Sequence, residues 1–193
     1  MDLKSYFSIA AGVLSIGCFV PYIASIFKDK TKPMKATWFI WASLDSITVV
    51  GMYLEDTVNG QIAGAAIGTW IVFCLSLRYG VKGWTHLDKF CLAALAVSIL
   101  LIVFGSNLLG IITSCLANCI GSLPTIRSTW EDSRRENKTA WVMGAMSSLC
   151  AFASIPDWTL GYYAQPVAFL SIQLVILYLL FFRAAIPVAA QNA

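Results

Sequence analysis

Seven apolar runs, separated by short charged segments, constrain this chain more than any other feature of its sequence. The bilayer core is about 30 Å thick and takes about 20 helical residues to cross. Each run is near that length, and none alternates with period two as the strands of a membrane barrel do. Backbone groups in lipid must bond within their own segment, so we predict seven transmembrane helices. They cover Ser5–Phe27, Thr37–Leu54, Gly60–Leu77, Lys89–Phe104, Asn107–Trp130, Thr139–Ile155 and Tyr162–Phe182.

The composition supports an integral membrane protein. Of the 193 residues, 59% are hydrophobic and 12% are charged, whereas soluble proteins average about 45–50% and about 25%. The first apolar run is too long for the core of a typical secretory signal, so we expect it to remain as a helix. No basic cluster accompanies a nucleic-acid-reading motif, so we expect no nucleic-acid partner.

The basic residues predict an orientation. With seven helices, the first, third and fifth loops and the C-terminus share one side. That side holds 12 of the 13 lysines and arginines, and Lys4 is the exception. Because positive charge is retained in the cytoplasm, we expect the N-terminus outside and the C-terminus cytoplasmic. The 12 residues are Lys28, Lys30, Lys32, Lys35, Arg78, Lys82, Lys89, Arg127, Arg134, Arg135, Lys138 and Arg183.

Several function classes have little support in the sequence. The six cysteines all fall inside predicted helices, so we expect reduced thiols that are buried in the membrane and face lipid or the protein core. Cys115 and Cys119 share a helix face, but the single histidine, His86, lies in a distant loop, so we expect no metal and no cofactor. The lack of paired acids, of an HExxH sequence and of a nucleophile with a nearby base argues against an enzyme. The seventh run has no lysine, which excludes a retinal protein.

Two segments about a hundred residues apart share an order of residues. GCFVPYIASIFKDKTKP begins at Gly17, and GSLPTIRSTWEDSRREN begins at Gly121. Setting Pro21 on Pro124 aligns them with an offset of 103. A repeat of this kind predicts duplicated structural units. The further matches are Ile23 with Ile126, Ser25 with Ser128, Phe27 with Trp130, Asp29 with Asp132, Lys35 with Lys138, Trp38 with Trp141 and, after one inserted residue, Gln61 with Gln165.

The repeat predicts that helices one to three and five to seven are two copies of one unit. Because a single helix separates the copies, both have the same orientation and are related by an axis along the membrane normal. We expect an all-α membrane fold with a first triple-helix bundle at 1–78, a linker helix at 79–106 and a second triple-helix bundle at 107–193. Pro21 and Pro124 lie near inner helix ends, where few backbone bonds remain to lose, and we interpret them as hinges.

This architecture resembles the PQ-loop superfamily, which includes the SWEET sugar transporters. The resemblance rests on the helix order and on a proline near the inner end of the first helix of each unit, here Pro21-Tyr22 and Pro124-Thr125. Members commonly have glutamine after that proline, and this chain does not. SWEETs hold sugar with an asparagine in the third helix of each unit, at the depth where this chain has Thr69 and Gln173. The resemblance implies a sugar-like solute, a midplane site and alternating access.

Asp45 is the strongest single candidate for a functional residue. It lies eight residues past Thr37, about 12 Å into the second helix. An acid at that depth costs about 2.5 kcal/mol or more, so it either serves a function or bonds to a neighbouring helix. The cost favours the neutral form, which makes Asp45 the candidate for proton coupling. Its repeat mate, Ser148, cannot titrate, so any proton site is asymmetric.

Other polar residues are predicted at the same depth on four further helices. An unpaired amide is costly in hydrocarbon, so these side chains either bond between helices or form a site. Their convergence on one level in both halves favours a substrate site. Trp70 either stacks on a ring of the solute or packs in the core. The predicted substrate-binding residues are Asp45, Thr69, Trp70, Asn118, Ser148 and Gln173, with Trp41 beside them.

Two further patterns are read as membrane and packing features. Trp38, Trp130 and Trp141 fall at the inner interface, where we interpret them as anchors. A GxxxGxxxG sequence along the third helix predicts very close packing with a neighbouring helix. Its members are Gly60, Gly64 and Gly68.

We expect a facilitative or proton-linked transporter of a small polar solute, which binds between the two bundles. The resemblance favours a sugar-like solute, and a vitamin, nucleoside or amino-acid-type solute is the nearest alternative. A second alternative is a ligand-binding membrane protein without transport, since KDEL receptors resemble the same architecture. The expected partners are the solute and the bilayer. One chain holds both bundles, so a monomer suffices, and a homo-oligomer stays open.

Overall fold

Seven helices make up the described part of the chain in this computed structural model. The structure describes residues 2–29 and 32–183, so Lys30 and positions 184–193 of the predicted second bundle lie outside the described residues. Within those ranges there is no strand. The helices are α1 (Leu3–Phe27), α2 (Lys35–Leu54), α3 (Gly60–Tyr79), α4 (His86–Val103), α5 (Asn107–Glu131), α6 (Lys138–Ala153) and α7 (Leu160–Phe182), with a 3-10 turn at Ser133–Arg135.

Five of these helices, α1, α3, α4, α5 and α7, are long and apolar enough to cross a membrane. The other two are α6, which has 16 residues, and α2, which has 20 residues with Asp45 near its middle. The predicted all-helical chain with seven helices is confirmed over the described residues. Several apolar helices of this kind fit a multi-pass membrane protein.

Side-chain caps fix where three helices begin. The first N–H groups of a helix have no partner within it, so polar side chains before the helix bind them. Asn59 accepts from the first turn of α3, and Asn137 does the same for α6. At α4, Thr85 and Asp88 form a reciprocal capping box. These caps hold the three helix starts in register with the loops before them.

α1 and α5 are each interrupted once, at corresponding places. The interruption in α1 is at Cys18, and that in α5 is at Ser122. A proline has no N–H for the carbonyl four residues earlier, and its ring clashes there. Each interruption lies two or three residues before its proline, Pro21 or Pro124, which gives it a direct physical cause.

Six of the described helices close a ring. α3 packs between α1 and α2, and α7 packs between α5 and α6. The ring closes where α1 contacts α6 and where α2 contacts α5. α4 packs on α2 and α5. The interior of the ring is therefore bounded by helices from both halves of the sequence.

α1 and α3 pack in very close contact. A Cβ on Gly60 would overlap the carbonyl oxygen of Ser8, and one on Gly64 would lie 2.7 Å from the carbonyl oxygen of Gly12. A Cβ on Gly68 would overlap the ring of Phe19. The close packing predicted from the glycine repeat is confirmed.

The connecting segments define two ends of the molecule. We call the end with the loops 28–34, 80–85 and 132–137 the open end. There, Lys35 N–H donates to the carbonyl of Val81 at 3.1 Å, and Val81 N–H donates to that of Pro33 at 3.0 Å. The first loop is therefore held against the third.

The opposite end, with the N-terminal residues and the loops 55–59 and 154–159, is called the closed end. Lys4 Nζ donates to the carbonyl of Pro156 at 3.1 Å. Gly60 N–H donates to Ser8 Oγ at 2.9 Å. The start of α1 is thus tied both to the loop before α7 and to the start of α3.

Candidate functional site

A cavity of about 530 Å³ runs from the middle of the helix ring to the open end. All seven helices contribute residues to its wall. Its outer part is lined by residues of the open-end loops, including Pro33, Met34 and Glu136. Its inner part reaches Asp45, Gln61 and the polar residues around them. A volume of 300–1,000 Å³ is typical of sites for small molecules.

Asp45 lies at the bottom of this cavity and joins three helices. Its side chain is buried, with a relative exposure of 3%. Asn118 Nδ2, on α5, donates to Oδ1 at 3.0 Å, and Thr69 Oγ1, on α3, donates to Oδ2 at 3.2 Å. Each carboxyl oxygen accepts up to two bonds, so Asp45 keeps acceptor capacity toward the cavity.

A second polar group lies on α3, α6 and α7. Ser148 Oγ donates to Gln173 Oε1 at 2.6 Å and accepts from Gln61 Nε2 at 2.5 Å. Gln165 Nε2 donates to Gln61 Oε1 at 3.2 Å, and Asn59 Nδ2 donates to Gln165 Oε1 at 2.9 Å. This chain of five side chains, which we call the amide chain, leads from the cavity toward the closed end.

The buried polar atoms in these groups all have partners. In the described part of the chain, no buried side-chain nitrogen or oxygen lacks a hydrogen-bond partner. An unpaired polar group in this environment is costly, so the polar residues have fixed positions before any solute enters.

Most of the predicted substrate-binding residues come together. Asp45, Thr69, Asn118 and Gln173 line the cavity. Ser148 is fully buried behind Gln173 and acts through its hydrogen bonds.

Trp70 is not brought to the cavity with them. Its side chain is 38% exposed on the outer face, where its indole N–H donates to Ser46 Oγ at 2.8 Å. Neighbouring residues of a helix point about 100° apart. Thr69 lines the cavity and Trp70 does not. The prediction that Trp70 stacks on a ring of the solute is therefore corrected.

The two prolines interpreted as hinges lie beside the cavity. Pro124 lines its wall, as do the residues before it, Gly121 and Ser122. In α1, Tyr22 lines the wall directly after Pro21. The two helix interruptions therefore lie next to the open part of the cavity.

The tryptophans interpreted as membrane anchors differ in where they lie. Trp130 is on the outer surface with 56% exposure, and the guanidinium of Arg183 lies 3.6 Å from its ring centroid. Trp38 and Trp141 instead line the cavity, together with Trp41. The anchor interpretation is therefore corrected for Trp38 and Trp141, because the ring of helices turns them inward.

Two glycines make room for the cavity side chains. A Cβ on Gly121 would lie 2.8 Å from Trp41 Nε1, and a Cβ on Gly144 would lie 3.1 Å from Gln173 Nε2. Both distances are shorter than ordinary contacts. The small residues of α5 and α6 therefore help to set where Trp41 and Gln173 lie.

Glu136 is a cavity residue that the sequence did not single out. It lies two residues before the start of α6 and lines the cavity at the open end. Its Oε2 accepts from Trp141 Nε1 at 2.9 Å. Burial raises the pKa of Glu136, and the bond from Trp141 opposes that rise. Glu136 lies among other charged residues in its loop, and no sequence pattern distinguishes it from them.

Gln61 and Gln165 were visible in the sequence only as repeat mates. They are fully buried and bonded to each other. Residues related by a twofold axis meet each other only near that axis. If the repeat reflects two structural copies that pack face to face, the offset therefore predicts that Gln61 and Gln165 meet.

The two cysteines on one helix face do not gather metal ligands around them. Cys115 packs with Met52, Ile62 and Ile111 in an apolar cluster. No group of three or more histidine, cysteine or acidic side chains is arranged to hold a metal ion among the residues that the structure describes.

Comparison with family models, with curated proteins and with solved structures gave no match. The cavity and its lining residues are therefore the features that indicate a function.

Proposed function

We propose that this protein is a membrane transporter that carries a small polar solute through the centre of its helix ring. One observation carries the proposal: a cavity of about 530 Å³ opens at one end and reaches Asp45, Asn118 and Gln173 at its bottom. A buried acid within a membrane helix marks a functional site by default, and a cavity of this volume suits a small molecule.

The two triple-helix bundles and the linker helix form part of the proposal. It is supported by the packing, in which the third helix of each unit lies between the other two and each first helix contacts the second helix of the other unit. It is also supported by two corresponding bonds, from Thr69 to Asp45 and from Ser148 to Gln173. Both bonds join the third helix of a unit to its second.

The proposed symmetry axis passes close to one side-chain pair. Gln165 Nε2 donates to Oε1 of its repeat mate, Gln61, at 3.2 Å. A contact between equivalent residues is expected of a parallel pseudo-twofold, the arrangement of parallel-repeat carriers.

We propose that the open end faces the cytoplasm, with the N-terminus outside and the C-terminus inside. The distribution of lysine and arginine supports this orientation. The cavity is then open to the inside, and transport requires that the closed end opens in turn.

The closed end has the bonds that alternating access would have to break. They include Asn59 to Gln165 at 2.9 Å and the Tyr162 hydroxyl to the carbonyl of Asp56 at 3.1 Å. Interruptions next to Pro21 and Pro124 lie on the cavity side of α1 and α5. Bending there would narrow the open end while the closed end separates.

Counterflow in proteoliposomes tests the proposal. The purified chain is reconstituted, preloaded with one unlabelled solute, and challenged with trace label from a panel of sugars, nucleosides, vitamins and amines. We expect one solute class to accumulate transiently, and Asp45→Asn to lower its initial rate at least about tenfold. Absence of flux for every solute, with wild type and variant equal, contradicts transport.

Proton linkage through Asp45 is tested in the same vesicles. An imposed pH gradient should change the initial rate of the wild-type protein if transport is proton-linked, and the gradient should have no effect on residual flux in Asp45→Asn. An equal response in both proteins contradicts a proton role for Asp45.

A further inference from the structure

The cavity wall differs in charge from the rest of the protein. The chain has a formal net charge of +3, yet the cavity is lined by three carboxyl groups, Asp45, Asp88 and Glu136. Among the described lining residues, Lys32 is the one cation. Over the part of the chain that the structure describes, none of the three acids forms an ion pair. Among its described residues, the cavity wall therefore has more acidic than basic groups, and the three acids are not ion-paired.

Other basic side chains near the open end are engaged away from the cavity. Lys35 Nζ donates to the carbonyl of Leu77 at 2.8 Å. Lys138 Nζ lies 5.0 Å from the ring centroid of Phe181. The surrounding positive charge therefore does not neutralise the acids of the wall at close range.

The three carboxyl groups differ in how many hydrogen bonds they already accept from the protein. Asp88 closes the capping box of α4 and also accepts from Thr37 Oγ1 at 2.9 Å. Asp45 accepts one bond on each oxygen. Glu136 accepts from the Trp141 indole. Since a carboxylate offers about four acceptor positions, Glu136 has the most left for a ligand.

Aromatic rings line the same cavity from both halves of the chain. On one side, the ring centroids of Tyr22 and Trp38 are 5.0 Å apart, and those of Trp38 and Trp41 are 5.3 Å apart. Trp141, the repeat mate of Trp38, lines the cavity from α6. The faces of such rings are electron-rich and attract cations, tryptophan most strongly.

We infer that the solute of this cavity is a small organic ammonium ion, which the Glu136 carboxylate and the rings of Trp38 and Trp141 hold at the open end before it reaches Asp45. The inference rests on the proposed transport function and names its solute class. Acids without counter-ions and electron-rich rings in one cavity are complementary to a cation with an apolar surface.

Two other solute classes fit this wall less well. A neutral sugar supplies no charge to the carboxylates. A zwitterion brings its own carboxylate into a wall where Lys32 is the one described cation. An ammonium ion is attracted by both the acids and the rings. Its desolvation cost is lower when it has alkyl or aryl groups.

The test uses two cations with neutral partners of the same shape. Choline is paired with 3,3-dimethylbutan-1-ol, and benzylammonium is paired with benzyl alcohol. Binding to the purified full chain is measured by quenching of tryptophan fluorescence, and flux is measured in proteoliposomes. We expect at least one cation to bind about tenfold more tightly than its neutral partner, and the same cation to be transported.

Variants locate the charge recognition. Glu136→Gln should reduce the cation preference to about threefold or less, while the affinity for the neutral partner stays the same. The matched control is Glu131→Gln, which changes an acid at the end of α5 that does not line the cavity. Trp141→Phe keeps a ring and should retain most of the cation preference, whereas Trp141→Leu should lose several-fold.

The outcomes separate this inference from the proposed function. Equal binding of cations and neutral partners, or an unchanged preference in Glu136→Gln, overturns the inference, and the transporter still stands if another solute moves. No flux of any solute overturns the transporter. Thermal unfolding of each variant confirms that an altered affinity does not reflect loss of the fold.

Discussion

The two halves of the cavity wall hold corresponding residues with different chemistry. In the first half, Thr69 donates to the carboxyl group of Asp45. In the second half, Ser148 donates to the amide of Gln173. Asp45 also accepts from Asn118, across the contact between the halves. The mate of Asn118 is Ser15, which donates to a backbone carbonyl, that of Gln61, instead.

This difference assigns separate tasks to residues at equivalent positions. Ser148 and Gln173 belong to the amide chain, whose five members come from both halves, bond to one another and lead toward the closed end. Asp45 is titratable, unlike Ser148 at the equivalent position, and both of its carboxyl oxygens keep acceptor capacity. At equivalent positions of the proposed repeat, Asp45 is thus suited to binding and Ser148 to holding helices together.

The largest expected effect compares the third helices of the two halves. Gly60→Ala places a Cβ against the carbonyl oxygen of Ser8, so α1 and α3 must separate, at a cost of about 3 kcal/mol. The equivalent position in α7 is Ala164, and Ala164→Gly should cost about 1 kcal/mol. Equilibrium unfolding in detergent measures both, and equal costs would contradict the account of the packing.

The next effect separates binding from support at equivalent positions. Asp45→Asn should lower solute flux at least about tenfold and keep most of the stability, because the side chain keeps its shape. Ser148→Ala leaves Gln61 Nε2 and Gln173 Oε1 without the hydroxyl that each binds, so we expect a loss of about 2 kcal/mol in unfolding free energy. Its flux per folded protein should stay within about threefold of wild type. If Ser148→Ala instead lowers flux and Asp45→Asn instead lowers stability, the roles of the two residues are exchanged.

A smaller effect comes from the glycines behind the cavity side chains. Gly121→Ala brings a Cβ to 2.8 Å from the rigid indole of Trp41, and we expect solute affinity to fall about fivefold. Gly144→Ala brings a Cβ to 3.1 Å from the end of the flexible Gln173 side chain, which can move, so the loss should be under about twofold. Binding titrations with both variants check the order.

The smallest effect concerns Glu136 and pH. Burial raises the pKa of this group, so the folded state favours the protonated form. For an acid with a raised pKa, the stabilisation is present at low pH and is lost as pH rises from the ordinary glutamate range through the raised value. Glu136→Gln should therefore raise the melting temperature near neutral pH and leave it unchanged in acid. A gain that is the same at every pH would contradict this cause.

The sequence was sufficient for features that depend on local residues. Apolar runs predicted the seven helices, because hydropathy is read segment by segment. The depth of Asp45 and Asn118 followed from counting residues along a helix. The offset of 103 also placed the two prolines, and the interruptions at Cys18 and Ser122 lie just before them.

Features that depend on neighbouring helices were harder to predict. Thr69 and Trp70 are adjacent, and only the packing of α2 and α3 decides which one faces inward. Trp38 and Trp141 were interpreted as anchors because counting residues gives only their depth along the helix. It does not tell whether a side chain at that depth faces the cavity or the lipid. Glu136 joins the cavity from a loop, where no periodicity indicates a direction.

The most direct test of the central claim is a structure of the protein with its transported solute bound. The account predicts solute density in the cavity within hydrogen-bond distance of Asp45 and in contact with Asn118 and Gln173. Solute bound on the outer surface, or a cavity filled by a lipid chain while transport proceeds, would contradict it.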